Sequence, residues 1–164
     1  MTDTFSEIET WLGSNAPALL TVLNPPADEA AIRAFETRRN LRLPPDIRRL
    51  YLIHDGESDK SDGIFGCWKM LSLADIEGEI ELIGELGIIP LFRSGGGDLY
   101  YVKSYDSEKP DLRLLEWWHE NPAQAQVISA SVEEFLFDFN QKLKSGQFVY
   151  RPDEMAALIN RDDL

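Results

Sequence analysis

The sequence predicts an α+β domain with a central antiparallel β-sheet flanked by helices, and three observations predict it. The first half repeats apolar residues at helical spacing: Ile8, Trp11 and Leu12, then Ile32 and Phe35, then Ile47, Leu50 and Tyr51. The second half changes period, with short aliphatic and aromatic runs at 88–92, 99–102, 112–117 and 126–128 separated by Gly, Pro, Asp or Asn. A stripe at Val132, Phe135, Leu136, Phe139 and Leu143 then restores helical spacing. Helices, strands and a covering helix in that order belong to an α+β chain, not to an alternating α/β one.

Each element has a local signal. Thr4 and Glu7 stand at capping-box spacing and predict a first helix from about residue 4, broken at 15–17 by Asn15 and Pro17. Leu19, Leu20, Val22 and Leu23 suggest a short second helix that Pro25 and Pro26 stop. Asp28 is the expected N-cap of a third helix, whose end carries Arg38, Arg39 and Arg42 at the negative pole of its dipole. The run LPPDIRRLYLIHDG at 43–56 opens a fourth helix at its prolines, continues to His54 and stops at Asp55 and Gly56. The next stretch, DGESDKSDG at 55–63, has no apolar residue and is expected to lie wholly in solvent.

Phe65, Trp68, Met70, Leu71 and Leu73 form an apolar segment that can join that helix to the sheet. Ser72 and Asp75 then cap a helix over 72–85, with Ile76, Ile80 and Ile83 on one side and Glu77, Glu79, Glu81 and Glu85 making the other negative. SGGGD at 94–98 reads as a tight strand connection, with the three glycines supplying positive φ and Asp98 bonding back to turn amides. Ser131 and Glu134 have the spacing of another capping box. The tail at 151–164 is expected to form one short helix or to fray.

At 164 residues the chain fits one domain that buries a core without disulfides or metals. No apolar run is long enough to span a membrane, and Asp3, Glu7 and Glu9 occupy the place of a basic leader region. With the single cysteine, Cys67, this points to the cytoplasm. A formal charge of −13 repels phosphate backbones and anionic lipids, which argues against nucleic-acid and membrane partners and reads either as plain solubility or as attraction to a basic protein partner.

No reaction chemistry assembles, so no catalytic residue, metal ligand or cofactor is expected. Only His54 and His119 could serve as bases, and His54 beside Asp55 reads as a cap or polar partner. Cys67 lies in the apolar run FGCWKML and reads as a buried, inert thiol. Asp55, Glu57 and Asp59 imitate the opening of a calcium loop, but Lys60 stands where glycine is needed and Gly66 where the bidentate carboxylate is needed. One cysteine and two distant histidines do not make a zinc site. Trp117 and Trp118 point to opposite faces if they lie on a strand, one to the core and the other to a helix, a loop or a partner.

Taken in order, LPPDIRRLYLIHDG, GIFGCWKMLSLADI, IIPLFRSGGGDLYYV and SVEEFLFDF resemble the Smi1/Knr4 (SUKH) superfamily over about 32–143, outside the N-terminal helices (4–31) and the tail. The motif positions fall on Leu43, Pro44, Asp55, Gly56, Gly66, Trp68, Gly97, Asp98, Phe135 and Leu136. The resemblance implies an antiparallel α+β fold and, for bacterial members, an immunity protein that neutralises a toxin, often a nuclease. For fungal members it implies a regulator acting through protein contacts, and this alternative stays open. It brings no shared catalytic set. The expected contact surface for a basic toxin domain is Asp55, Glu57, Asp59, Asp62, Glu77, Glu81, Asp98 and Trp118, with carboxylates hastening encounter and an aromatic anchor slowing release.

Overall fold

The computed structural model describes residues 2–84, 87–120, 125–152 and 157–163. The chain opens with α1 (Thr2–Asn15), α2 (Pro17–Leu20), α3 (Glu29–Arg39) and α4 (Pro45–Tyr51). Strand β1 (Trp68–Met70) and helix α5 (Leu73–Ile83) precede β2 (Ile88–Ser94), β3 (Leu99–Lys103), β4 (Leu114–Trp117) and β5 (Gln126–Ser129). Helix α6 (Val132–Lys144) and a hairpin of β6 (Phe148–Arg151) and β7 (Ala157–Asn160) follow, with a 3-10 turn at Arg161–Asp163.

Side-chain caps explain the starts of α3, α5 and α6. The Asp28 side chain accepts the Ala31 amide at 2.7 Å, as expected, and Asn40 closes α3 in the left-handed region at φ 50°. Ser72 and Asp75 form a complete capping box on α5. Ser131 caps α6, but the Glu134 carboxylate turns instead to the Ser129 hydroxyl and the Ala130 amide, so that box stays open. Two expected boundaries move: α1 already includes Thr2, and α4 ends at Tyr51, three residues before His54. Glu85, expected at the end of α5, lies outside the described residues; the helix ends at Ile83.

The large sheet runs β1-β2-β3-β4-β5, with every neighbouring pair antiparallel. Pro90 is tolerated inside it because the register shifts between Pro90 and Phe92, where a ladder amide can be spared. Pairing aligns Met70, Phe92, Tyr100, Glu116 and Gln126 in one cross-strand row, and Lys69, Arg93, Leu99 and Trp117 in the next. Adjacent rows point to opposite faces. Helix α6 covers the first face, with Phe135 at 5.2 Å from the Phe92 ring and 6.0 Å from the Tyr100 ring. Helix α5 lies against the other, with Glu79 paired to Arg93 at 3.0 Å and Ile83 packed on Ile88, Tyr101 and Leu115.

One buried apolar cluster joins Phe5, Ile8 and Leu12 of α1 to Phe92, Leu136 and finally Leu158 of β7. The C-terminal tail therefore corrects its sequence reading: β6 and β7 pair from Phe148↔Asn160 to Arg151↔Ala157 instead of forming a helix or fraying. Leu158 is fully buried, and that burial holds the hairpin against the core. Strand β1, absent from the expected strands, has only three residues, too few for an alternating pattern to register.

Candidate aromatic and acidic site

The acidic loop after α4 folds inward near its start, at Gly56 and Glu57, while Asp59 at its centre is exposed. Gly56 adopts φ 67°, and a Cβ there would stand 2.4 Å from the Ser72 nitrogen, so only glycine brings the chain this close to the start of α5. Asp55 accepts the Leu73 amide at 2.8 Å. Burial raises its pKa and the Asp75 charge adds to the rise, while the Leu73 amide opposes it. Glu57 is 1% exposed, contrary to the expectation that it lies in solvent and meets a partner. Its carboxylate accepts the Met70 amide at 2.7 Å, the Ile64 amide at 3.1 Å and the Ser61 hydroxyl. Burial pushes this group up to about 7 against the pull of those three donors and of the Lys69 charge. The cause of the inward turn is tertiary: Met70 of β1 and Ile64 ahead of it offer backbone donors, and Glu57 supplies the acceptors.

The other expected residues divide. Asp59 is exposed, its side chain 98% accessible and 3.4 Å from the Lys69 amine, and Asp62 is exposed as well. Glu77 and Glu81 are not free charges: Glu77 pairs with Arg38 at 2.8 Å and Glu81 with Arg39 at 2.6 Å, clasping α5 to α3. The expected negative face of α5 is thus partly neutralised from within. The Asp98 carboxylate accepts the His119 backbone amide at 3.2 Å and faces the His119 Nδ1 at 2.7 Å. It ties the β2–β3 turn to the end of β4 instead of bonding chiefly to turn amides. Of the three turn glycines only Gly97 has positive φ, at 95°. Trp117 is half-buried and packs against the cluster of Ile88, Tyr101 and Leu115, whereas Trp118, one residue past the end of β4, is 41% exposed.

One end of the sheet gathers several of these groups. Register sets Trp68 opposite Ser94, Leu99 opposite Trp117 and Tyr100 opposite Glu116. The β1 start, the β2–β3 turn bearing Asp98 and the β4 end leading to Trp118 therefore share that end, with Asp62 one residue from Gly63, which packs on the Trp68 backbone. The Trp68 and Tyr100 rings stack at 3.5 Å with an interplanar angle of 18°. Burial, with the Glu116 and Asp98 charges, pushes the Tyr100 hydroxyl up to about 12. Glu116 is raised by burial and by Asp98. Sequence reasoning missed Tyr100 and Glu116, because their pairing depends on strand register.

Beside the stack opens a cleft of about 390 Å³ walled by Trp68, Tyr100, Phe135, Phe139 and Phe148, with Asp138 and Lys142 also lining it. Phe135, Asp138, Phe139 and Lys142 recur at i, i+3, i+4 and i+7 of α6, the one sequence signal that could have revealed this wall. Phe139 and Phe148 are 5.2 Å apart, joining α6 to the C-terminal hairpin. Gly66, at φ 65°, lets Phe148 cross, since a Cβ would lie 2.9 Å from its ring. Cys67 lines the same cleft and is exposed, correcting the expectation of a buried thiol. Its φ of 68° turns it away from the apolar run around it.

His54 is held between the Asn24 carbonyl at 2.7 Å and Glu9 at 3.0 Å, a polar-partner role with different partners from Asp55. Among the described residues no hydroxyl or thiol hydrogen-bonds either imidazole. Among the described residues no cluster of His, Cys, Asp and Glu could hold a metal ion, and no helix is long and apolar enough to cross a membrane.

No curated protein matches the chain. The SMI1 / KNR4 family (SUKH-1) model matches residues 26–138, from the turn before α3 into the cleft wall of α6. The match takes in the Gly56 approach, the whole five-stranded sheet and the Trp68–Tyr100 stack, and the chain belongs to the SMI1 / KNR4 family (SUKH-1).

Proposed function

We propose that this chain is a binding protein of the immunity type, which neutralises a basic, nuclease-type toxin domain by covering its positively charged groove. The observation that carries this reading is the gathering of Asp62, Glu116 and exposed Trp118 around the Trp68–Tyr100 stack at one end of the sheet, in a chain of net charge −13. Exposed carboxylates steer a basic partner and raise its on-rate, and a large aromatic at the same place gives the complex a desolvated anchor. Family membership supports a binding role in general. Glu57, Glu77 and Glu81 leave the proposed contact set because burial or internal pairing occupies them. Asp55 and Asp98 leave it as well, since their carboxylates are occupied by the start of α5 and by His119.

The test pairs the purified chain with the nuclease-like domain encoded by a neighbouring reading frame and follows nuclease inhibition across a salt series. Asp59→Lys with Asp62→Lys should weaken inhibition, and the loss should shrink as salt rises, because screening removes the contribution those charges make. Inhibition indifferent to both charge reversal and salt would refute the reading.

A further inference from the structure

We propose that the cleft between the sheet, α6 and the C-terminal hairpin is an anchor pocket for an arginine side chain of the partner. This rests on the reading that the partner is basic. The cleft, at about 390 Å³, lies at the low end of the roughly 300–1,000 Å³ typical of small-ligand sites and suits one long side chain with its adjoining backbone. Five aromatic side chains line it: Trp68, Tyr100, Phe135, Phe139 and Phe148. A guanidinium stacks on such faces and is weakly hydrated, so it enters an aromatic slot at lower desolvation cost than an ammonium.

Charge selects the cation. Asp138 lines the cleft, exposed and with no ion partner among the described residues. An apolar anchor seated against Asp138 would take water from that carboxylate without replacing it, whereas a guanidinium pairs with it. Lys142 stands four residues after Asp138, at the spacing of a helical ion pair, yet no such pair forms. Asp138 is therefore available to an incoming cation, and Lys142 acts as a partial brake. Cys67, the sole thiol and exposed at the cleft, provides a built-in reporter of occupancy.

The test uses capped tripeptides, Ac-Gly-Arg-Gly-NH2 against its lysine, citrulline and phenylalanine counterparts. Amide and indole resonances report binding in heteronuclear NMR, and the rate of Cys67 modification by a disulfide reagent reports protection. The arginine peptide should shift the Trp68 and Phe139 signals and slow Cys67 modification. Asp138→Asn should weaken it about fivefold, as expected for a partly desolvated cation contact, and Lys142→Ala should strengthen it. No shift at tens of millimolar, equal binding of the citrulline peptide, or preference for phenylalanine would overturn the proposal. If the peptides fail while the intact toxin domain is still inhibited with salt dependence, only the pocket assignment falls. If the arginine peptide binds as described but no basic domain is inhibited, the pocket stands and the immunity reading falls.

Discussion

Replacing Glu57 by glutamine isolates one buried charge and fixes the sign of its pH dependence. Carrying a carboxyl from its ordinary 4.5 to about 7 corresponds to about 3 kcal/mol, at roughly 1.4 kcal/mol per pH unit. Below about pH 4.5 both the folded and unfolded chains hold this proton, so the group adds no pH dependence. Between 4.5 and about 7 the folded chain keeps a proton that the unfolded chain releases, so stability falls as pH rises, and above that window it levels off. Glutamine does not titrate. It keeps one carbonyl acceptor for Met70 or Ile64 but turns an amide donor toward the other's N–H, which costs about 1–3 kcal/mol at every pH. The informative quantity is therefore the wild-type stability minus that of Glu57→Gln, from urea titrations at each pH, since other titrating groups cancel. That difference should fall by about 3 kcal/mol from pH 4 to pH 8. A flat difference, or one that rises with pH, would show that the three donors outweigh burial, and would refute the reasoning.

Two further changes probe the frame around the site. Gly56→Ala puts a Cβ 2.4 Å from the Ser72 nitrogen at a φ of +67°, and should cost at least about 2 kcal/mol through strain and displacement of α5; an unchanged urea midpoint would contradict it. Glu77→Gln removes the carboxylate that Arg38 and Arg39 share at 2.8 and 3.7 Å. Because Arg38 is largely exposed, the loss should stay below about 1 kcal/mol and diminish in salt. Toxin inhibition should be unchanged, and a large fall in inhibition would return Glu77 to the contact surface.

Local chemistry was legible wherever the partners lie within a few residues of one another. Asp28, Ser72 with Asp75, and Ser131 announce helix starts because a cap needs only an amide three positions on. Four strands were visible as β-rich runs between turn residues, within two residues of their ends. The candidate site was less legible. Asp59, Asp62 and Trp118 are exposed as expected, but Glu57 shares their acidic loop and lies inside. Nothing in DGESDKSDG distinguishes the carboxylate that receives β1 donors from those that meet water, because the donors at Ile64 and Met70 are aligned only by folding. Cys67 misled in the opposite direction: its neighbours are apolar, but a left-handed backbone turns it outward.

The amino-acid sequence alone determined the fold class, the six helices, four of the strands and the net charge, which depend on composition, periodicity and short-range capping, and its motif runs carried the family resemblance. Only the tertiary structure decided which carboxylates remain available, how the C-terminal hairpin closes an aromatic cleft, and that Tyr100 shares a row with Glu116. Burial, register and ion pairing join residues distant in the chain, and a one-residue slip in register would reverse which face each strand residue occupies.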